Sequence, residues 1–395
     1  MDSGAPVLLD VTRLVALGWT GRHPTGIDRV CRAYLRHFRH RAQAVVQHRG
    51  VIRVLEPAPS AALFDVLEHR APGMRRRIAR QLSAALIARP ARERIAGRAY
   101  LNIGHTDFDL PVHHGWARQH RLRPFYFLHD LIPVMHPEFS RPHAVRRHLG
   151  RVESALESAE GIILGSHAVA DELAAFAAAR GLPLPPFAVA HLAGETLPPA
   201  ASQPPAESRP FFLCVATIEP RKNHRLLLDL WARLATRLGD DTPRLVLVGQ
   251  TGPLTGDILA PLAANPALQA HVEHHAACCD AELARLMHHA RALLMPTLAE
   301  GFGLPFVEAL AAGTPVIASD LPVLREIGQG AACLIDPACL DGWEQAVLAA
   351  LEQPAQQRAK GFVPRRWDGH FEVVERFIAD PAAFRRPSSE RVLAA

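Results

Sequence analysis

No apolar run in this chain approaches the ~20 residues that a membrane-crossing helix needs. The opening stretch, Met1 to Asp10, has neither a basic start nor a long apolar core, so no secretory signal is expected there. Aromatic residues are scarce, at 6%, which argues against a nucleic-acid surface of basic residues interleaved with stacking rings. Cysteine is thin and scattered. Cys31, Cys214, Cys278, Cys279, Cys333 and Cys339 suggest small buried residues in a reducing cytoplasm rather than a disulfide framework. His271, His274, His275, Cys278 and Cys279 lack a second C-x2-C or H-x3-H at finger spacing, so zinc is not expected. The D-x-D of Asp107-Phe-Asp109 lies past Gly104, away from a strand end, and reads as loop chemistry rather than a metal site for a nucleotide sugar.

What is present is an ordinary globular composition. The 395 residues are 49% hydrophobic and 21% charged, with a formal charge of +5. That length has room for two domains, each with its own core. Pro6–Val11 is a first buried strand, followed by a loop containing His23–Arg29 and a helix over Val30–Phe38. Thr25-Gly26 before that helix serves equally as a plain cap or as an anion-facing turn. Strands are expected at Ala44–His48, Val51–Leu55, Ala99–Ile103, Pro124–Leu128, Gly161–Leu164 and Phe187–His191, with helices over Arg146–Ala159 and from Ser166. The Pro124–Leu128 strand runs into His129-Asp130, at the edge where α/β proteins bind ligands. That position singles His129 out among 22 histidines.

Between Arg70 and Arg98 stand nine arginines against one acid, Glu93, with Ile78, Leu82, Ala85, Leu86 and Ile95 as an apolar face. Such a segment is either a solvated helix face or a surface for anionic lipid or a lipid-pyrophosphate acceptor. The local excess favours the second. Leu197–Pro210 is proline-rich and reads as a linker. The expected organisation is therefore a first domain over 1–196, a linker over 197–210, a second domain over 211–365, and a C-terminal helix and tail over 366–395.

The second half alternates strand and helix patterns. Phe211–Ala216, Leu245–Gly249, His271–His275, Ala292–Pro296, Pro315–Ser319 and Ala332–Asp336 form a doubly wound parallel sheet. Arg221 and Lys222 follow its first strand, before a helix over Arg225–Leu238. Alone they are a charged loop with Asn223 as cap; at a strand's C-terminal edge they suit a diphosphate. Gly249 and Gln250, at the next strand end, suit ribose or base contacts. From Met295 to Ser319 the chain packs a strand, a loop with Gly301 and Gly303, Pro305 at the first helical position, a short helix over Phe306–Ala312 ending at Gly313, and another strand. Backbone N–H groups and a positive dipole end collect there. Glu300 in the loop and Glu308 on the first helical turn bracket them. Each alone is an ordinary acid; together, in a loop otherwise apolar or glycine, they favour a site.

Glu300-Gly-Phe-Gly-Leu-Pro-Phe-Val-Glu308, followed by Ala312-Gly-Thr-Pro-Val-Ile-Ala-Ser319, resembles the signature of retaining glycosyltransferases of the GT-B fold, family 4. Thr25-Gly-Ile-Asp-Arg-Val30 and His129-Asp-Leu-Ile-Pro133 resemble the mannosyl- and rhamnosyl-transferases of bacterial surface polysaccharides. The resemblance implies two Rossmann-like α/β domains facing a cleft, with the C-terminal helix returning to the first. It implies Glu300, Gly301, Phe302 and Gly303 on the donor sugar, and Glu308 on the ribose with Gly249 and Gln250 beside it. Arg221, Lys222, Gly303, Leu304 and Gly26 fall on the diphosphate, and His129 near the reacting carbon makes a catalytic pair with Glu300. Ala216 stands where the family usually has glycine. The activity implied is transfer of a hexosyl or deoxyhexosyl unit, mannose or rhamnose first, from a GDP-, dTDP- or UDP-sugar. The acceptor would be a growing polysaccharide or lipid-linked oligosaccharide at the inner face of the cytoplasmic membrane, with no metal and no other cofactor. A nucleotide-sugar epimerase or hydrolase, and a non-catalytic sugar-nucleotide-binding scaffold, are the alternatives.

Overall fold

The structure is a computed structural model that describes residues 6–69, 73–87, 95–195, 197–198, 209–252, 254–352 and 361–385, with backbone alone for 84–87. Most of the proline-rich stretch, and Arg70, Arg89, Arg92 and Arg94 of the basic segment, lie outside the described residues. The chain divides into two compact units. Unit 1 takes the residues up to Leu131, those from Arg146 to Leu192, and those from Trp367 onward; unit 2 takes Ile132–Val145 and Ala193–Arg366. Among the described residues no helix is long and apolar enough to cross a membrane.

Unit 1 is built on a seven-stranded sheet in the order β3-β2-β1-β4-β5-β6-β7. The strands are β1 Val7–Asp10, β2 Ala42–His48, β3 Val51–Val54, β4 Ala99–Asn102, β5 Arg123–Leu128, β6 Gly161–Leu164 and β7 Phe187–Val189. All neighbours are parallel except the β2–β3 hairpin. Strands β1, β4 and β6 are buried along their whole length, because helices cover both faces of a parallel sheet. That is why these stretches read as unbroken apolar runs rather than alternating ones.

The helix Trp367–Ala379 completes this core. Phe377 meets the Phe125 ring edge-on at 5.6 Å, and Gly161 makes room for it, since a Cβ there would lie 2.4 Å from Phe377 Cζ. His370 Nε2 bonds the Tyr34 hydroxyl at 3.0 Å, and Arg123 donates to the Ile378 carbonyl.

Three expectations in unit 1 need correction. The loop after β1 contains a helix, Thr12–Thr20, which ends at Gly21 in the left-handed region. The helix expected from Val30 starts at Gly26, because Asp28 closes a reciprocal cap with Thr25. The basic segment is not one face. Arg75, Arg76, Arg77 and Arg80 are exposed on the helix Met74–Ile87. Arg98 instead donates to the Pro6 and Val7 carbonyls and to Gln43, fastening the start of β1 to β2.

Unit 2 carries six parallel strands in the order β10-β9-β8-β11-β12-β13. They are β8 Phe211–Val215, β9 Arg244–Val248, β10 Val272–His275, β11 Leu293–Met295, β12 Val316–Ser319 and β13 Cys333–Ile335. On the helix His224–Leu238, Leu227, Leu230, Trp231 and Leu234 repeat at helical spacing and are fully buried against Phe212, Leu247 and Trp343. Trp231 Nε1 donates to the Pro243 carbonyl at 2.8 Å, so its polar end is not stranded in that core.

Candidate functional site

Strands β8 and β11 are neighbours in the middle of the unit 2 sheet, so the loops leaving their C-terminal ends emerge side by side. Hydrogen bonds lock those loops together. The Arg221 carbonyl accepts the Leu298 N–H at 2.7 Å and the Thr297 hydroxyl at 3.1 Å, and Arg221 Nη1 donates to the Ala299 carbonyl at 3.1 Å. Two residues 78 positions apart are thereby joined: Lys222 forms a direct ion pair with Glu300. Each side chain is only 12% exposed. Arg221 Nε sits 2.7 Å from Glu219, and its Nη1 lies 3.7 Å from Glu300.

Two cations and two carboxylates thus form a balanced quartet. Burial raises the Glu300 pKa, but Lys222, Arg221 and the Gly301 N–H outweigh it and hold the carboxyl below its ordinary range. For Lys222, burial and then Arg221 depress the pKa, and Glu300 opposes them.

Gly303 caps the helix Leu304–Ala311 with a φ of 95°, a conformation suited to glycine. Its bare Cα is hemmed in as well, since an added Cβ would lie 3.2 Å from both Met295 Cε and Leu324 Cδ2. Pro305 is the second helical residue rather than the first, and Glu308 falls in the second turn, not the first. It is therefore too far along the helix to act as a helix-start acid. Its carboxylate is buried and accepts the Glu195 N–H at 3.1 Å. Gly194 permits that approach, because a Cβ there would stand 2.7 Å from Glu308 Cγ.

Gly249 and Gln250 leave β9 next to the β8 loop. Ile218 N–H donates to the Gln250 carbonyl at 3.0 Å, Gly252 N–H returns a bond to Ile218 at 2.9 Å, and Ile218 and Thr251 form a parallel bridge. A Cβ on Gly249 would lie 1.9 Å from the Ala216 carbonyl oxygen. In Gly249→Ala the two loops must separate. We expect roughly 3 kcal/mol of lost stability in urea unfolding, at the top of the range for overpacking. A change under about 1 kcal/mol would show that the loops yield freely. Asn223, expected as a side-chain cap, makes no capping bond. It sits in the left-handed region and donates to the Pro337 carbonyl at 3.4 Å instead.

His129 and Gly26 belong to unit 1. His129 ends β5 and donates from Nε2 to the Ile103 carbonyl at 2.8 Å, which leaves Nδ1 with its lone pair. Burial pushes its pKa down to about 4, so the ring is neutral at pH 7. Next to it lie two further buried imidazoles. His105, at 5.0 Å between ring centroids, is tied to the Phe127 carbonyl, and His148 to the Asp130 carbonyl. Gly26 is the first residue of its helix. Its neighbour Thr25 is held by Asp28, whose other oxygen takes Arg13 Nε at 2.7 Å. Asp107 and Asp109 face Arg147 and Arg151 as ion pairs.

Sequence reasoning passed over two residues here. One is Gly194, whose significance appears only through Glu308. The other is His224, fully buried at the start of its helix beside Lys222, with neither ring nitrogen hydrogen-bonded among the described residues. Burial, then Lys222 and His274, bring its pKa down to about 4. Its place directly after Arg-Lys-Asn was the available signal.

Comparison with known proteins bears on this arrangement. Residues 200–361 match the family described as "Glycosyl transferases group 1". The serotype-specific mannosyltransferase WbdA of Escherichia coli is 29% identical over 260 residues, covering 61% of this chain and 32% of that protein. The O-antigen chain mannosyltransferase RfbU of Salmonella typhimurium is 36% identical over 101 residues, 25% of this chain and 29% of its own. The chain spans about a third of the length of the curated relatives it matches. Among solved structures, sucrose-phosphate synthase from Thermosynechococcus elongatus superposes with a TM-score of 0.62 at 18% identity, over 95% of both chains. HepE of Anabaena, in complex with UDP-glucose, gives 0.62 at 15% identity over 96% of both. Those likenesses carry the fold, and the family match carries the segment that holds both glutamates and the two cations. Residues 200–361 are thus similar to the group 1 glycosyl transferases, and the two parallel-sheet units share the GT-B fold of these solved structures.

Proposed function

We propose that this protein transfers a hexosyl unit, mannose first, from a nucleotide sugar to a growing surface polysaccharide or lipid-linked glycan, with retained anomeric configuration. The observation that carries this reading is the pairing of Arg221 and Lys222 with Glu300 where β8 and β11 end, beside the start of the helix Leu304–Ala311. Mannose is supported by the names of relatives, among them the MMP alpha-(1->4)-mannosyltransferase of Mycolicibacterium hassiacum, 33% identical over 37% of this chain.

In this reading negative charge grows on the diphosphate as its bond to the sugar breaks. Arg221, Lys222 and the helix start at Gly303-Leu304 stabilise that charge without a metal. Glu300 and the Gly301–Gly303 backbone hold the sugar. Glu308, Gly249 and Gln250 hold the ribose and base. The acceptor proton passes to the departing phosphate on the same face. His129, neutral and fixed through Nε2, offers Nδ1 to a sugar hydroxyl and positions rather than deprotonates. GDP is the first choice of carrier, with UDP and dTDP behind it. No cofactor is needed beyond the nucleotide sugar itself.

The acceptor side lies against anionic lipid at the inner face of the cytoplasmic membrane. Support for this comes from exposed Arg75, Arg76, Arg77 and Arg80 beside Trp19, which is 48% exposed. The test is incubation with GDP-mannose, UDP- and dTDP-sugars and a lipid-linked acceptor in the presence of EDTA. Transfer from one donor that persists in chelator is expected. Activity lost in EDTA and restored by Mg2+ or Mn2+ would refute the metal-free step. Free sugar or epimer release in place of transfer would refute the transferase reading.

A further inference from the structure

We propose that Glu300 occupies the cation site of the empty enzyme as an internal stand-in for the donor phosphate, and that a nucleoside diphosphate binds by taking Lys222 from it. This rests on the reading of Arg221 and Lys222 as the diphosphate site. Three observations lead to it. First, the Lys222–Glu300 pair is direct and both side chains are nearly sealed, so a phosphate reaching the ammonium arrives where the carboxylate already is. Second, the quartet Glu219, Arg221, Lys222 and Glu300 carries no net charge. A dianion approaching it meets as much repulsion as attraction unless one carboxylate gives way. Third, the backbone cannot supply the movement. Arg221 is bound to Leu298 and Thr297, and Lys222 N–H to the Glu219 carbonyl at 3.1 Å, so the exchange is between side-chain ends alone.

The hand-over does two things. With donor bound, Lys222 turns to phosphate and releases the Glu300 carboxylate, which is then free to take sugar hydroxyls. A carboxylate competent to hold sugar therefore appears only when the phosphates are seated. After transfer the nucleoside diphosphate has no sugar to occupy Glu300. The carboxylate returns to Lys222 and assists product release.

A calorimetric titration of wild type, Glu300→Gln and Lys222→Ala with GDP and UDP tests this. Removing the competitor is expected to tighten nucleoside diphosphate binding in Glu300→Gln by about tenfold, even as its turnover falls. The gain in Tm on adding nucleotide is expected to be larger than in wild type. Binding by Glu300→Gln equal to or weaker than wild type overturns the hand-over. If wild type binds and Lys222→Ala does not, the diphosphate site itself stands whatever Glu300→Gln shows. If wild type binds neither nucleotide, or Lys222→Ala binds as wild type does, the site reading falls and the hand-over with it. Should Glu300→Gln fail to fold with Lys222 uncompensated, Glu300→Asp, whose carboxylate is one methylene shorter and reaches Lys222 less well, carries the same test. Tighter GDP binding than wild type by Glu300→Asp supports the exchange, and equal or weaker binding overturns it.

Discussion

Replacing Lys222 by Ala should lower turnover by roughly 30- to 1,000-fold, the loss expected when about 2–4 kcal/mol of transition-state stabilisation disappears. The effect is large because the ammonium sits where water is nearly excluded, and a charge there acts on a developing anion with little screening. Arg221→Ala should lose turnover on the same scale for the same reason. The two variants should differ in stability. Lys222→Ala leaves Glu300 without its nearest cation, yet Arg221 Nη1 is 3.7 Å away and can take over as counter-ion. Arg221→Ala also removes a guanidinium that ties the loop to the Ala299 carbonyl and to Glu219. The cost of about 1–3 kcal/mol for stranding buried polar partners should therefore fall more heavily on Arg221→Ala. Single-turnover rates with saturating donor, alongside urea unfolding, separate the two effects. Wild-type turnover in both variants would remove the diphosphate site from this loop.

Acid should unfold unit 1 before unit 2. Burial holds His129 and His370 at about 4 and His113 at about 3, and puts His105 well below its ordinary value. All four are in unit 1. In the unfolded chain each titrates near 6.5, so below that pH the unfolded state gains protons that the folded state refuses. Their contribution is complete above pH 6.5 and is lost as pH falls toward 4. At pH 5 His129, His370 and His113 each cost about 2 kcal/mol, about 6 together, and His105 adds in the same direction; this is comparable with the roughly 5–15 kcal/mol that holds a domain folded.

Asp10 works the other way. Burial raises its carboxyl to about 6 against the hydrogen bonds from Gln47 and Tyr100. Stability from this group therefore grows as pH falls from 6 toward 4, returning about 1.4 kcal/mol at pH 5. The balance still runs against unit 1. Among the described residues of unit 2, His224 is the buried histidine whose pKa is held near 4. Hydrogen exchange followed from pH 7 to pH 4 should show amides of β1, β4, β5 and β6 losing protection while those of β8, β9 and β12 keep it. Protection lost first in unit 2, or retained in both at pH 4.5, would contradict this.

The parallel sheets were legible because buried strands between helices must be short, apolar and punctuated. Val316–Ser319 and Gly161–Leu164 leave little other choice. The helix Thr12–Thr20 was hidden because it follows a strand without a recognisable cap, and Val11 indeed makes no side-chain cap bond. Pro57–His69 was hidden by prolines at its first and third positions, which look like loop until one sees that the opening turn of a helix needs no donor there. The glutamate loop could be found from spacing, but the partners of its carboxylates could not. Lys222 and Glu300 meet because β8 and β11 are adjacent, and Glu195 reaches Glu308 because Gly194 has no side chain. Strand order and the absence of a methyl group are three-dimensional facts that no local pattern announces. Arg98 shows the same limit. Its charge placed it with its neighbours in the basic segment, while its hydrogen bonds place it with β1.

The helix Trp367–Ala379 sets the order in which the protein can be made. Phe371, Val374, Phe377 and Ile378 lie buried in unit 1 with Tyr34, Phe125 and Phe127, which are translated more than two hundred residues earlier. Domains usually fold in the sequence in which they leave the ribosome. Here the described part of unit 2 is complete before this helix emerges, while the first-made sheet still waits for its last covering piece. During that interval the patch around Tyr34 and Phe125 is open to solvent, and a nascent chain carrying it is a client for any chaperone that binds exposed apolar surface. The unit made first is the one finished last.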